Sequence, residues 1–228
     1  MKFLKSLILL SVLLSFSANA LLEVNIIKSK EELFPVVIAP FEVIGDAQQG
    51  DDIANIIRDN LNRSGQFNAL STNELVTNQI DFNFWQEHKK DAVIFGKIEQ
   101  VSSKVFNIYI YIYDVFSEKS LYAKKIAVHN SGIRRIAHYL SDRIYYVLLG
   151  QKGSFDTRLS YVTVSESKKG NRTYRLQISD SDGYNPQTVV KSAHPILSPS
   201  WSSDQNKLAY VSFKNNRSEV FVMHPFLK

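Results

Sequence analysis

Apolar side chains in the first part of the chain follow strand-like and helix-like spacings in turn. FPVVIAPF, at residues 34–41, is a continuous apolar run and predicts a strand buried on both faces. Residues 50–65 carry apolar side chains at helical spacing between an acidic start and a final glycine, which predicts an amphipathic helix. QFNAL, at 66–70, predicts a short strand, and STNEL, at 71–75, predicts another helical turn. FNFWQEHKK, at 82–90, predicts a helix.

Three further strands are predicted to form a meander. Residues 91–101 are mostly apolar and predict a buried strand, and residues 120–129 predict the returning one. Between them, residues 105–115 alternate strictly, so that isoleucines occupy one face of the strand. The opposite face carries Tyr109, Tyr111 and Tyr113.

A long helix is predicted to follow the meander. Residues 131–150 place apolar side chains along one stripe, and we expect Ser131 to cap this helix and Gly150 to end it. The tyrosine face of the meander could bind a partner, but we expect this helix to cover it. Strands and helices in this order predict a small α/β domain with a mixed sheet.

The pattern changes near Gly153, after which short strands alternate with Ser-, Asn-, Asp- and Gly-rich turns. RLSYVTV, at 158–164, returns as KLAYVSF, at 207–213, an offset of 49 residues. A polar turn and another alternating strand follow each copy. Repeats of about 40 to 50 residues that contain only short strands are typical of β-propeller blades. Two hairpins of a β-sandwich would show the same alternation and are the alternative.

The first twenty residues predict a secretory signal peptide. Lys2 and Lys5 precede an apolar stretch at residues 7–14, and small residues at Ala18 and Ala20 form a signal-peptidase site. The apolar stretch is too short for a membrane span, so after cleavage we expect no direct membrane insertion.

We therefore predict three segments. Residues 1–20 are the signal peptide, residues 21–152 an α/β domain, and residues 153–228 the start of a β-propeller, about one and a half blades.

The amino-acid composition of the chain excludes several classes of function. The chain has no cysteine, which excludes disulfides, thiol chemistry and a lipid-modified cysteine. The net charge of +5 falls to +3 without the signal, whose only charged side chains are two lysines, and no Lys/Arg-rich block is present. Nucleic-acid binding is therefore not expected.

Chemistry-bearing motifs are missing as well. The chain has no G-x-S-x-G, no H-E-x-x-H, no phosphate-binding glycine-rich loop and no dinucleotide fingerprint. The five histidines show no metal-ligand spacing: His88, His129, His138, His194 and His224. We predict no catalytic residue, no cofactor and no metal site, and expect a binding or scaffolding role.

Taken together, the quoted segments resemble the TolB family, the periplasmic components of Tol-Pal systems. The resemblance rests on PVVIAPF, LNRSGQFNAL and DAVIFGKI, and on RRIAHYLSDRIYYVLLGQKGSFDTRLSYV. ISDSDGYNPQTVV and LSPSWSSDQNKLAYVS complete it. The A-H-x-x-S-D-x-I-Y helix and the S-D-x-D-G-x-N loop are its most specific parts. The resemblance implies an N-terminal α/β domain followed by a propeller that normally has six blades.

The resemblance also implies a function. It describes a non-enzymatic periplasmic adaptor that links TolA to Pal and supports outer-membrane invagination during cell division and envelope integrity. In the family the start of the mature chain contacts TolA, and Pal occupies the propeller face. The TolA segment maps here onto Glu23, Val24, Asn25, Ile26, Ile27 and Lys28. LEVNII, which holds most of it, alternates like an edge strand and could add to a partner's sheet.

The chain departs from the family pattern at two points. Most blades have no counterpart in it, and with them most of the loops that would contact Pal. Its blade line also reads W-S-S-D-Q-N where the family prefers W-S-P-D-G. Two alternatives therefore stand beside the adaptor: a truncated, functionally impaired TolB-like fragment, and the front end of a propeller-containing peptidase.

Overall fold

The computed structural model describes residues 33–45, 50–76 and 79–226, so the predicted signal peptide lies outside it. The first half of the described chain contains six strands and three α-helices. In order, these are β1 (Phe34–Ile38), β2 (Glu42–Ile44), α1 (Gly50–Arg63), β3 (Phe67–Ser71), α2 (Phe82–Glu87), β4 (Ala92–Gln100), β5 (Val105–Asp114), β6 (Ser120–His129) and α3 (Ile133–Leu149). None of the described helices is both long and apolar enough to cross a bilayer.

All six strands join one mixed sheet in the order β3-β1-β4-β5-β6, with β2 paired to the far end of β4. Strand β1 runs parallel to β3 and β4, and β2 is also parallel to β4. Strands β4, β5 and β6 form the predicted antiparallel meander. The prediction of an α/β domain with a mixed sheet is confirmed.

Helices α1 and α3 pack against the isoleucine face of β5. Ile108, Ile110 and Ile112 are fully buried there. They share a core with Ile53, Ile57 and Leu61 of α1 and with Ala137, Leu140 and Ile144 of α3. Burial of one such branched side chain stabilises the fold by about 1.5–3 kcal/mol.

The tyrosine face of β5 is covered by a different helix from the one expected. Tyr111 and Tyr113 stack on Phe95 and pack with Trp85 of the short helix α2. Tyr109 lies beyond α2, donates a hydrogen bond to Glu99 and contacts nearby lysines. The prediction that the long helix covers the tyrosines is wrong, because its apolar stripe pairs with the wholly apolar isoleucine face.

Two local predictions also fail. Residues 72–76 contain no helical turn in the described part of the chain. Ser131 lies in a 3₁₀ turn, so α3 begins at Ile133 and Gly132 takes the cap position without a side-chain hydrogen bond. The end of α3 is as predicted: Gly150 adopts φ 70°, the left-handed conformation that glycine accepts at little cost.

The second half consists of two three-stranded antiparallel sheets, β7-β8-β9 and β10-β11-β12. Their strands are β7 (Arg158–Glu166), β8 (Arg172–Asp180), β9 (Gln187–Ser192), β10 (Ile196–Trp201), β11 (Leu208–Ser212) and β12 (Glu219–Met223). The two copies of the sequence repeat form β7 and β11, and each of these strands pairs in antiparallel fashion with the strand that follows it.

The two sheets pack face to face through a small apolar cluster. Leu176 and Ile178 of β8 meet Ile196 of β10 and Leu208 of β11, and Trp201 packs beside them. Repeated small sheets with shared faces are the arrangement of propeller blades.

The turn that departs from the family's blade line carries backbone strain. Gln205 adopts φ 59°, where the family's W-S-P-D-G has a glycine. The carboxylate of Asp204 accepts hydrogen bonds from the Ser202 hydroxyl and the Asn206 amide and stabilises this turn.

Candidate functional site

The predicted TolA segment, Glu23 to Lys28, lies outside the described residues. Its assignment therefore stays a prediction. The described residues instead bring together the two motifs that most specifically carry the family resemblance. Helix α3 contributes the motif at residues 137–145, and the loop after β8 contributes the motif at residues 179–185.

Arg134 on α3 is the main contact between that helix and the loop. Its guanidinium binds the Asp182 carboxylate directly, and its Nε lies 3.3 Å from Oδ2 of Asp180. The aromatic ring of Tyr184 packs on the same guanidinium, with Cζ 3.8 Å from the ring centroid. Two carboxylates and one aromatic ring thus hold the first blade against the α/β domain.

Beneath this ion pair lies a buried polar network around Asn60 of α1. The Asn60 side-chain amide donates to the Ser141 hydroxyl at 2.8 Å and lies 2.9 Å from Nδ1 of His138. The Asn60 oxygen accepts from Arg63 at 2.9 Å. All four side chains come from α1 and α3, and Asn60 itself is completely buried.

The network selects one tautomer of neutral His138. The Ser141 hydroxyl donates its proton to the carbonyl of Ala137, so its oxygen must accept from the Asn60 amide nitrogen. The same nitrogen, a donor only, faces Nδ1 of His138, which must therefore accept. His138 is the neutral tautomer protonated on Nε2, and that atom lies 3.7 Å from Asp182, beyond hydrogen-bond range.

His138, Asp180 and Asp182 present three ligand-type atoms close enough to hold a metal ion. Arg134 argues against such a site, because its guanidinium binds both carboxylates. A divalent ion would have to displace this cation or share its ligands with it. The contacts of the cluster are those of an ion-pair network centred on Arg134.

Asp142, the acidic residue of the helix motif, holds the segment that leads into the first blade. Its two carboxylate oxygens accept from the backbone amides of Phe155 and Asp156 at 2.7 and 3.0 Å. Gly153 passes so close that a Cβ there would lie 2.3 Å from Asp142 Oδ1. The Ser181 hydroxyl of the loop motif donates to the Phe155 carbonyl at 2.6 Å.

We expect Asp142→Ala to destabilise the chain by about 2–3 kcal/mol, because two backbone amides lose a charged acceptor. Urea denaturation followed by circular dichroism measures this loss. Asp156→Ala is the matched control. The Asp156 side chain pairs with Arg135, whose side chain is 71% exposed, and such a pair contributes at most about 1 kcal/mol. Equal losses in the two variants would contradict this role of Asp142.

Sequence reasoning marked both motifs as specific but did not predict that they touch. Only the helix motif carried a signal, since His138 and Ser141 stand among the apolar positions of α3, whereas Ser, Asp, Gly and Asn are what an ordinary turn needs. The partner of each motif could not be read from the sequence, because 40 residues or more separate Arg134 and His138 from the loop.

Comparisons with known proteins show the family that the chain resembles in both halves. The family model described as the TolB amino-terminal domain matches residues 22–121, and the one described as the TolB beta propeller domain matches residues 145–224. The chain is 58% identical over 222 residues to the Tol-Pal system protein TolB of Ruthia magnifica subsp. Calyptogena magnifica, which covers 97% of the chain and 52% of the relative. It is 37% identical to the protein of the same name from Thioalkalivibrio sulfidiphilus, over 97% of the chain and 52% of the relative.

A solved structure shares the fold. The crystal structure of TolB from Acinetobacter baumannii superposes with a TM-score of 0.75 at 35% identity and covers 85% of this chain. The match covers 47% of that protein. The chain thus spans about half the length of the relatives it matches.

Proposed function

Because the chain belongs to the TolB family, we propose that it is a non-enzymatic periplasmic adaptor of a Tol-Pal system, which links TolA to Pal. The observation that carries this proposal is the 58% identity to a Tol-Pal system protein TolB, which extends over both the α/β domain and the blades. Both matching family models are TolB domains, which favours the adaptor over the front end of a peptidase.

The proposal includes delivery to the periplasm by the signal peptide at residues 1–20, and a domain division near residue 152. The role in outer-membrane invagination during division and in envelope integrity is part of the same proposal. It needs no cofactor, since an adaptor acts by presenting surfaces to its partners.

We place the TolA contact at Glu23–Lys28. Alternating apolar and polar side chains let such a segment add as a strand to the edge of a partner's sheet, where backbone hydrogen bonds supply affinity. The segment precedes β1 by only a few residues along the chain.

Pal is the second proposed partner, although the chain contains only the first part of the propeller. In the family Pal occupies the propeller face, and the described residues supply two three-stranded sheets of a propeller. The impaired-fragment alternative predicts TolA binding without Pal binding, or neither. Measurement of both partners on the same preparation separates these outcomes.

We expect deletion of residues 21–28 to weaken the retention of purified TolA by at least about tenfold, the loss of roughly 1.4 kcal/mol of binding free energy. Pull-down of TolA by the chain starting at Leu21, compared with the chain starting at Ser29, measures this loss. Circular dichroism should show the same melting curve for both, because the core residues that the structure describes all lie at or after β1.

Two substitutions refine the experiment. Ile26→Asp places a charge in the proposed strand and should reproduce the loss, whereas Lys30→Ala lies just outside the segment and should bind TolA normally. Unchanged TolA binding after the deletion would show that the contact lies elsewhere.

A further inference from the structure

His138 differs from the other four histidines of the chain by being buried. Its side chain is 3% exposed, whereas His88, His129, His194 and His224 are exposed. It lies at the meeting point of α1, α3 and the loop after β8. The charged groups that face it are Arg63 of α1, Arg134 of α3, and Asp180 and Asp182 at the end of β8 and in the loop.

Protonation of His138 would bring two donors into opposition. A proton on Nδ1 would point at the Asn60 amide nitrogen, which lies 2.9 Å away and has only hydrogens to offer. Rotation of the amide by a half-turn would present its oxygen to His138. The same rotation would turn the amide hydrogens toward Arg63 and remove the donor that Ser141 needs.

The surrounding charges do not offset this conflict. Asp182 and Asp180 would attract an imidazolium, but both already bind Arg134, whose positive charge opposes a second one nearby. Burial lowers the pKa of His138 below its ordinary value, and this effect outweighs the attraction of Asp182 and Asp180.

We propose that the contact among α1, α3 and the loop at residues 180–185 is a pH-sensitive junction, closed when His138 is neutral and loosened when His138 is protonated. Acidification would break the Asn60–His138 hydrogen bond, which joins α1 to α3. The imidazolium would also be repelled by the positive charges of Arg134 and Arg63. The proposal is independent of which partners the chain binds.

The direction of the pH effect follows from the lowered pKa. A histidine with a lower pKa in the folded chain binds its proton more readily when the junction opens. The stabilisation is therefore complete above the ordinary histidine value near 6.5 and is lost as the pH falls through the lowered folded value. For each unit between the two pKa values, acidification should raise the opening equilibrium by about tenfold.

The test combines histidine titration with hydrogen exchange on the purified chain. NMR of the imidazole protons should show His138 titrating below the ordinary histidine value near 6.5. Hydrogen exchange, corrected for its intrinsic pH dependence, should show faster opening of α1, α3 and residues 180–185 at pH 5.0 than at pH 7.5. Titration of His138 at or above the ordinary histidine value near 6.5 would overturn the proposal.

A matched pair of variants isolates the titrating group. His138→Asn keeps an acceptor oxygen near the position of Nδ1 and cannot be protonated, so its junction should open equally at the two pH values. His129→Asn removes an exposed histidine and should retain the wild-type pH dependence. The same pH dependence in all three proteins would overturn the proposal, and if His138→Asn does not fold, the wild-type titration decides alone.

Discussion

Gly96→Ala is expected to cost the chain about 3 kcal/mol or more of folding free energy, or to prevent it from folding. A Cβ at this position of β4 would lie 2.2 Å from the carbonyl oxygen of Tyr109 and 2.3 Å from the ring of Phe41. The Tyr109 carbonyl belongs to the neighbouring strand, so it cannot retreat without disrupting the β4–β5 pairing. Overpacking by one methyl group ordinarily costs about 1–3 kcal/mol, and an immovable backbone neighbour places this site at the upper end or beyond.

Thermal denaturation tests this expectation, since 3 kcal/mol corresponds to a fall in Tm of about 6–12 °C for a chain of this size. Gly132→Ala is the control. A Cβ there would meet only Cγ2 of Val128, at 3.2 Å, a side-chain atom that can move. A Gly96 variant as stable as the Gly132 variant would mean that β4 and β5 separate more easily than their pairing indicates.

Asn60→Ala is expected to destabilise the chain by about 2–4 kcal/mol. The change removes the donor that Nδ1 of His138 and the hydroxyl of Ser141 share, both in buried residues, and leaves a cavity where Asn60 was completely buried. Urea denaturation gives the free energy of unfolding. The loss should be larger than for a simple apolar truncation of similar volume, because buried polar atoms remain unsatisfied.

Asn55→Ala on the same helix is the control for helix propensity. Asn55 is exposed and its side chain accepts one hydrogen bond from Arg58, so its removal should change stability by about 0.5 kcal/mol or less. If both variants lost the same amount, the network around Asn60 would carry no more energy than a surface contact.

Much of the first domain follows from local pattern. Strict alternation in β5 determines which side chains share a face, because successive Cβ atoms point to opposite sides of a strand. The stripe of α3 and its final glycine define a helix in the same way, and Gly150 takes the expected left-handed conformation. These predictions hold because they need only residues within one or two turns of each other.

Local pattern could not predict which helix packs on which face of β5. Both faces offer large side chains, and only the packing of the whole domain assigns α3 to the isoleucines and α2 to Tyr111 and Tyr113. The same limit applied at residues 71–75, where a local capping signal was not followed by a helix, because no apolar stripe extends it.

The sequence by itself determined most of the element order, the 49-residue blade repeat and the two motifs that carry the family resemblance. The tertiary structure decided that these motifs form one junction, with Arg134 between Asp180 and Asp182 and with His138 held neutral by Asn60. Local spacing encodes the direction of each side chain along its own helix or strand. The partners of a buried polar group come from segments distant along the chain, and only folding places them within hydrogen-bond distance.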